Sequence, residues 1–163
     1  MASGERELYA ELDRLGVSVA LREHPVVRTI EESKRLRGDL PGGHVKNLLL
    51  QNKKGELWLV AALEDTVLDL KELARRLDSG RLSFASAEVL ESALGVTPGA
   101  VSPLAVLNDA EKRVTVVLER RLLQLELLNF HPLRNDATVT MRTADFLRFL
   151  DAVGHSPVEI AAD

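Results

Sequence analysis

A chain of 163 residues with 45% apolar and 28% charged side chains and no cysteine can bury a real core, and it reads as one domain spanning residues 1–163. The missing cysteines exclude a disulfide framework, a thiolate zinc site and a Cys nucleophile. No run of about 18 apolar residues is present, and Glu5, Arg6, Glu7, Glu11, Asp13 and Arg14 stand where a signal peptide needs an apolar stretch; a soluble, cytoplasmic protein is therefore expected.

The net charge of −4 speaks against a general nucleic-acid coat, but the charge is unevenly placed. Residues 1–82 carry 14 Lys/Arg and 14 Asp/Glu, whereas residues 83–163 carry 7 and 11. Lys34, Arg35, Arg37, Lys46, Lys53 and Lys54 fall in one segment whose single acid is Asp39. Such a segment either serves as a solvated face or meets a compact anionic partner.

In chain order, Ser3 can cap a helix with the stripe Leu8, Leu12 and Leu15 and a stop at Gly16. Thr29 and Glu32 have capping-box spacing before a segment closed by Gly38. Residues 45–51 and 57–63 are apolar runs joined by Asn52, Lys53, Lys54 and Gly55, which predicts a β-hairpin with Gly55 at positive φ. Thr66 opens the next predicted helix, with Leu70, Leu73, Ala74 and Leu77 before Gly80. Ser86 to Leu94 followed by Gly95 repeats that punctuation, strands are expected at 114–119, 125–130 and 137–141, and Thr143 caps a last helix with Phe146, Leu147, Leu150 and Val153 buried before Gly154. Helices and strands without strict alternation, with recurring hairpin pairs, predict an α+β domain built on a mixed, mostly antiparallel sheet surrounded by helices.

Standard chemical motifs are absent. The chain has no P-loop, no GxGxxG and no GxSxG, and His24, His44, His131 and His155 lack HxxxH or HExxH spacing, so no metal site is expected. The pairs Glu31/Glu32 and Glu64/Asp65 are adjacent, so their side chains diverge and do not share a substrate.

Three stretches carry more. Gly42-Gly43-His44-Val45-Lys46-Asn47 is a flexible entry into an apolar strand. A lysine there either limits aggregation at a strand edge or meets an anion, such as a phosphate or the oxyanion of an ester under attack. Gly95-Val96-Thr97-Pro98-Gly99-Ala100-Val101-Ser102-Pro103 is a stiff loop; it is either a helix stop with a turn, or a surface whose backbone can fix an amine or a water. Asn129-Phe130-His131-Pro132 ends a strand, where a histidine is either structural or a ligand to substrate. His24-Pro25 ends another extended segment, and nothing local decides between packing and function there.

The order of these pieces resembles the YbaK/ProX aminoacyl-tRNA deacylases: His24-Pro25 and Thr29, then Val45-Lys46-Asn47-Leu48, then the loop of residues 95–103, then Asn129-Phe130-His131-Pro132 and residues 138–141. The likeness covers roughly residues 20–155 and is strongest to the branch that clears alanyl-tRNA(Pro). It implies a trans-editing hydrolase that cleaves the aminoacyl ester at the terminal adenosine, using a placed water and the vicinal ribose hydroxyl and no cofactor. It implies that Lys46 binds phosphate or orients the adenosine and that Asn47 assists by hydrogen bonds. His24, Thr29, Gly95, Pro98, Gly99, Ser102 and His131 would bind the substrate, with His131 lining the amino-acid pocket. Lys53, Lys54 and Arg81, with Arg75 and Arg76 as additions, would meet acceptor-stem phosphates. The expected partners are the acceptor end of mischarged tRNA(Pro) and, beyond it, prolyl-tRNA synthetase or an elongation factor; a monomer that touches no membrane is expected. A cysteinyl-tRNA(Pro) deacylase and a non-catalytic tRNA- or synthetase-binding module are the alternatives.

Overall fold

The computed structural model describes residues 4–26, 29, 31–32 and 41–161. Ser3, the expected helix beyond Glu32, and the cations Lys34, Arg35 and Arg37 lie outside the described residues. Four α-helices have given bounds: α1 (Glu5–Arg14), α2 (Leu70–Leu77), α3 (Ala87–Leu94) and α4 (Thr143–Ala152). The strands are β1 (Ala20–Glu23), β2 (Gly43–Gln51), β3 (Leu57–Leu63), β4 (Ser83–Phe84), β5 (Val114–Glu119), β6 (Leu127–Phe130), β7 (Ala137–Arg142) and β8 (Val158–Ile160). Among the described residues no helix is long and apolar enough to cross a membrane.

The sheet runs β1-β7-β6-β2-β3-β5-β8, with β4 pairing β2 off that path. β1/β7, β6/β7, β2/β3 and β2/β4 are antiparallel, whereas β2/β6, β3/β5 and β5/β8 are parallel. The domain is therefore the α+β mixed sheet that the sequence predicts. Each face carries its own apolar layer. The larger core packs Leu8 and Leu12 of α1, Leu90 and Leu94 of α3, and Phe146, Phe149 and Leu150 of α4 with Leu59, Ala61, Val116, Leu118, Phe130 and Val139 of the sheet. The smaller, with Leu73 of α2, gathers Leu50, Val60, Leu82, Val117 and Ile160. β3 and β5 are thus covered on both faces, which is why they read as nearly unbroken apolar runs instead of alternating ones.

The predicted hairpin forms as expected. Asn52 Oδ1 accepts from the N–H groups of Lys54 and Glu56 at 3.1 and 2.9 Å, and Gly55 takes φ +80°. Ser86 caps α3 by accepting from Val89 N–H at 3.2 Å, and Gly95 closes it at φ +70°. Two expected caps are displaced. Asp69, not Thr66, caps α2 by accepting from Lys71 N–H at 2.9 Å, because the Thr66 hydroxyl is drawn to a buried carboxylate in the sheet. Thr143 is the first residue of α4, and its hydroxyl donates to the Leu125 carbonyl. The strand expected from residue 125 begins at Leu127.

A buried clamp fixes the end of α4 against the entry to β5. Asp109 accepts from the N–H groups of Arg113 and Val114 at 3.0 and 2.8 Å, and its Oδ2 lies 2.9 Å from His155 Nε2. Both side chains are almost fully buried. Asp109→Ala removes the partner of all three groups at once, so we expect a loss of about 2–4 kcal/mol in urea unfolding. An unchanged unfolding midpoint would show that the clamp is not needed.

One feature of β2 positions the site. Its edge away from β3 pairs with β6 only at Gly43 and His44, and with β4 only at Leu50 and Gln51. Among the described residues no strand pairs residues 45–48 on that side, so the sheet opens there between β6 and β4.

Candidate active site at the open edge of the sheet

Lys46 and Asn47 stand at this opening, and strand geometry sends their side chains to opposite faces. The neighbours confirm it: Leu48 and Leu50 belong to the smaller apolar layer, Val45 and Leu49 to the larger. Had β2 and β6 continued their register beyond His44/Asn129, Lys46 would lie abreast of His131. These two residues therefore flank the gap.

On the Lys46 face, Nζ donates to the backbone carbonyl of Thr66. An ammonium has three donors, and among the described residues two of them remain for another acceptor. Thr66 is itself held: its hydroxyl donates to both oxygens of Glu119, and Arg121 donates to that hydroxyl at 2.6 Å and to Glu119 at 2.9 and 3.1 Å. The Glu119 side chain is only 1% exposed, while Arg121 is half-exposed. The carboxylate beside Arg121 raises the guanidinium's pKa above its ordinary value. Thr66, Glu119 and Arg121 were not legible as site residues, since Glu119 merely ends an apolar run and Thr66 has the look of a cap.

On the opposite face Asn47 Nδ2 donates to the Val101 carbonyl at 3.4 Å, while its Oδ1 is buried and has no hydrogen-bond partner among the described residues. A buried amide oxygen left unpaired costs roughly 1–3 kcal/mol, which marks the position as one where folding stability is not the governing requirement. Val101 belongs to the loop singled out in the sequence, and the loop's residues divide sharply by role. Gly95 is the left-handed end of α3. Pro98 and Gly99 form a 3-10 turn with Ala100. A Cβ on Gly99 would come within 2.8 Å of the Asn135 side chain. Ser102 is fully buried, and its hydroxyl accepts from Leu104 N–H at 3.1 Å to start the 3-10 helix Pro103–Asn108. The loop thus presents its Val101 carbonyl at Asn47, with Ser102 used as an anchor.

His24 and His131 meet at the β1–β7–β6 side of the gap, with ring centroids 6.3 Å apart. His24 Nδ1 lies 2.8 Å from the Pro25 carbonyl, and its Nε2 lies 2.9 Å from Thr138 Oγ1. A carbonyl only accepts, so Nδ1 carries the proton, and both ring nitrogens of His24 are engaged. His131 Nδ1 likewise donates to the Ala137 carbonyl at 2.9 Å. In its neutral form this leaves Nε2 as a lone-pair acceptor. Burial pushes the His131 pKa below the usual 6.5; the Ala137 carbonyl opposes this and nearby His24 adds to it. Asn129 braces the gap by donating to the carbonyls of Pro41 and Gly43 at 2.9 and 3.3 Å, and Thr140 donates to its Oδ1.

The His131 shift gives a pH expectation. The folded state binds the His131 proton less readily than the unfolded chain, so its contribution to stability is complete above pH 6.5 and declines as pH falls toward the lowered folded-state value. His131→Gln should flatten this part of the stability profile between pH 7 and 5; an identical slope in the variant would refute it.

The remaining expected residues are placed elsewhere. Thr29 is exposed, and its Oγ1 accepts from Glu32 N–H at 3.0 Å, as the capping spacing predicts. Lys53 and Lys54 sit in the β2–β3 turn, which Asn52 ties to the Ser79 carbonyl at 2.9 Å, close to Arg81. These cations lie at the Gln51 end of β2, about 17 Å along the strand from Lys46. Arg75 and Arg76 are not free additions to that face, since both pair with Glu72 and Arg76 also donates to the Ala161 carbonyl. Among the described residues no three His, Asp or Glu side chains gather as metal ligands.

The model of the aminoacyl-tRNA editing domain matches residues 24–149. The chain is 39% identical to prolyl-tRNA synthetase associated domain-containing protein 1 of Danio rerio, over 97% of this chain and 87% of the relative. It is 38% identical to the prolyl-tRNA editing protein ProX of Acetoanaerobium sticklandii, over 93% of each. A crystal structure described as a candidate trans-editing enzyme for prolyl tRNA synthetase superposes with a TM-score of 0.73 at 21% identity, covering 100% of this chain and 99% of that one; this likeness shows the fold. The match runs from His24 through Phe149 and takes in both sides of the open sheet edge, and the chain belongs to the aminoacyl-tRNA editing domain family.

Proposed function

We propose that this chain deacylates alanyl-tRNA(Pro) in trans, hydrolysing the ester at the terminal adenosine. The observation that carries the reading is the unpaired, buried Asn47 Oδ1 beside the Val101 carbonyl, at a break in the sheet whose other face holds Lys46. Two adjacent carbonyl-type acceptors suit the α-ammonium of an aminoacyl ester. The two free donors of Lys46 suit a phosphate or ribose oxygen. A substrate lying across the open edge of β2 reaches both faces, which reconciles the divergent side chains of Lys46 and Asn47 with one shared ligand.

The ester is already activated, so its hydrolysis needs a placed water and charge stabilisation more than a strong nucleophile. Asn47 orients the amino end. Lys46 orients the adenosine end, and neutral His131 offers Nε2 to a donor at the mouth of the amino-acid pocket. The vicinal ribose hydroxyl helps place the water. A synthetase site shaped for proline rejects a smaller side chain by only about 1–3 kcal/mol for each missing methylene, so a separate hydrolytic site is required for accuracy. The names of the relatives support prolyl-tRNA synthetase and its tRNA as the partners.

The test is hydrolysis of alanyl-, cysteinyl- and seryl-tRNA(Pro), with prolyl-tRNA(Pro) and alanyl-tRNA(Ala) as controls. Selective release of alanine from tRNA(Pro) is expected. Preference for cysteine would assign the neighbouring specificity, and no hydrolysis by folded protein would replace the enzyme with a binding module.

A further inference from the structure

We infer that Phe84, with Arg81 and Lys71 of the adjoining groove, is a stacking platform for the single-stranded 3′ segment of the RNA whose end enters the gap at Lys46. This inference rests on the proposed RNA substrate and adds a second contact to it. Phe84 is 63% exposed, although burying a phenyl ring is ordinarily favourable by about 1.5–3 kcal/mol. Its position is fixed by the backbone: β4 pairs with β2 at Leu50–Phe84 and Gln51–Ser83, and Ala85 N–H donates to the Leu49 carbonyl at 2.9 Å. Facing residues of an antiparallel pair lie on one side of the sheet. Phe84 therefore shares the face of Leu50, Leu48 and Lys46.

Leu82, two residues before Phe84, lines an open groove with Leu70, Lys71 and Ala74 of α2 and Arg81. The floor is apolar and the two charged lining residues are cations. The neighbouring acids are occupied, since Asp69 caps α2 and Glu72 holds Arg75 and Arg76. An exposed aromatic ring two residues along the chain from a groove that carries two cations suits single-stranded nucleic acid, with the ring taking a base and the cations taking phosphates.

The spacing fits. Lys46 and Leu50 are four residues apart on one strand, about 13 Å. At ~3.4 Å per stacked nucleotide this is at most about four nucleotides, the length scale of the unpaired 3′ end of a tRNA. A terminal adenosine at Lys46 thus leaves an upstream base at Phe84, and Lys53 and Lys54 beyond it for the phosphates of the stem.

The experiment measures binding of uncharged tRNA(Pro), and of a stem-loop RNA ending in the same four unpaired nucleotides with 2-aminopurine at the first of them. Uncharged RNA makes the readout independent of hydrolysis. Phe84→Ala should weaken binding about ten-fold and abolish the fluorescence change of the 2-aminopurine, whereas Phe84→Trp should retain both. Because the ring is largely exposed, the unfolding midpoint of Phe84→Ala should stay near that of the wild type. Equal affinity of Phe84→Ala and wild type for both RNAs would overturn the platform, as would a wild type that binds neither RNA. Hydrolysis unaffected by Phe84→Ala, with equal binding, removes the platform and leaves the deacylase; wild-type binding lost in Phe84→Ala without hydrolysis of any ester removes the deacylase and leaves the platform.

Discussion

Lys46→Ala is expected to lower hydrolysis of alanyl-tRNA(Pro) at least ~100-fold, about 2.7 kcal/mol of transition-state stabilisation, in a protein that remains folded. The ammonium already spends one donor on the Thr66 carbonyl. Its remaining donors stand at the open edge of β2, and a low-dielectric strand face makes such a charge worth far more than a solvent-exposed one. Truncation frees the Thr66 carbonyl without emptying an apolar cavity, since Leu48 and Leu50, not Lys46, fill the layer on that face. The fold should therefore tolerate the change. Lys46→Arg keeps the charge but replaces a compact donor with a planar fork, so partial recovery is expected and complete recovery is not. A folded Lys46→Ala protein of wild-type activity would end the assigned role.

Much of the architecture was readable because the local signals agree with the tertiary structure. Ser86 and Gly95 bracket α3, Gly55 turns the hairpin, and the apolar runs of β3 and β5 match strands covered on both faces. The signals failed where a polar side chain had a distant partner. Thr66 has cap chemistry in sequence but is claimed by Glu119, 53 residues away, so Asp69 takes the cap. Thr143 is claimed by the Leu125 carbonyl in the same manner. Short edge strands carry few residues and little periodicity, which is why β4 and β8 do not announce themselves.

The candidate site shows the same division. The segments around Lys46, residues 95–103 and His131, separated widely in sequence, all border the open edge. Their internal roles follow from contacts that no spacing reveals. Ser102 spends its hydroxyl on Leu104 N–H, Gly99 accommodates Asn135, and the group of that loop that meets Asn47 is the backbone carbonyl of Val101. The alternation that separates adjacent carboxylates equally separates Lys46 from Asn47, and only the gap in pairing along β2 allows one ligand to reach both. Sequence proximity groups the cations of the basic segment, yet Lys46 lies within β2 and the Lys53–Lys54 turn beyond its far end.

The largest effect expected from a residue that touches no substrate is at Glu119. Its carboxylate fixes the Thr66 hydroxyl and Arg121, and the carbonyl of Thr66 in turn receives Lys46. Glu119→Gln conserves volume but cannot accept from Thr66 and Arg121 with both oxygens, because one becomes an amide donor. In either orientation the amide nitrogen faces an N–H of Arg121 donor to donor, and the turn that aims Lys46 loosens. We expect kcat to fall about ten-fold, about 1.4 kcal/mol, with KM for the RNA nearly unchanged, since Lys53 and Lys54, beyond the far end of β2, are untouched. A purely structural role would instead lower the fraction of active protein and leave kcat per folded molecule unaltered. The double variant Glu119→Gln with Lys46→Ala separates these cases. If Glu119 acts through Lys46, its substitution adds nothing once the lysine is gone, whereas independent losses would multiply.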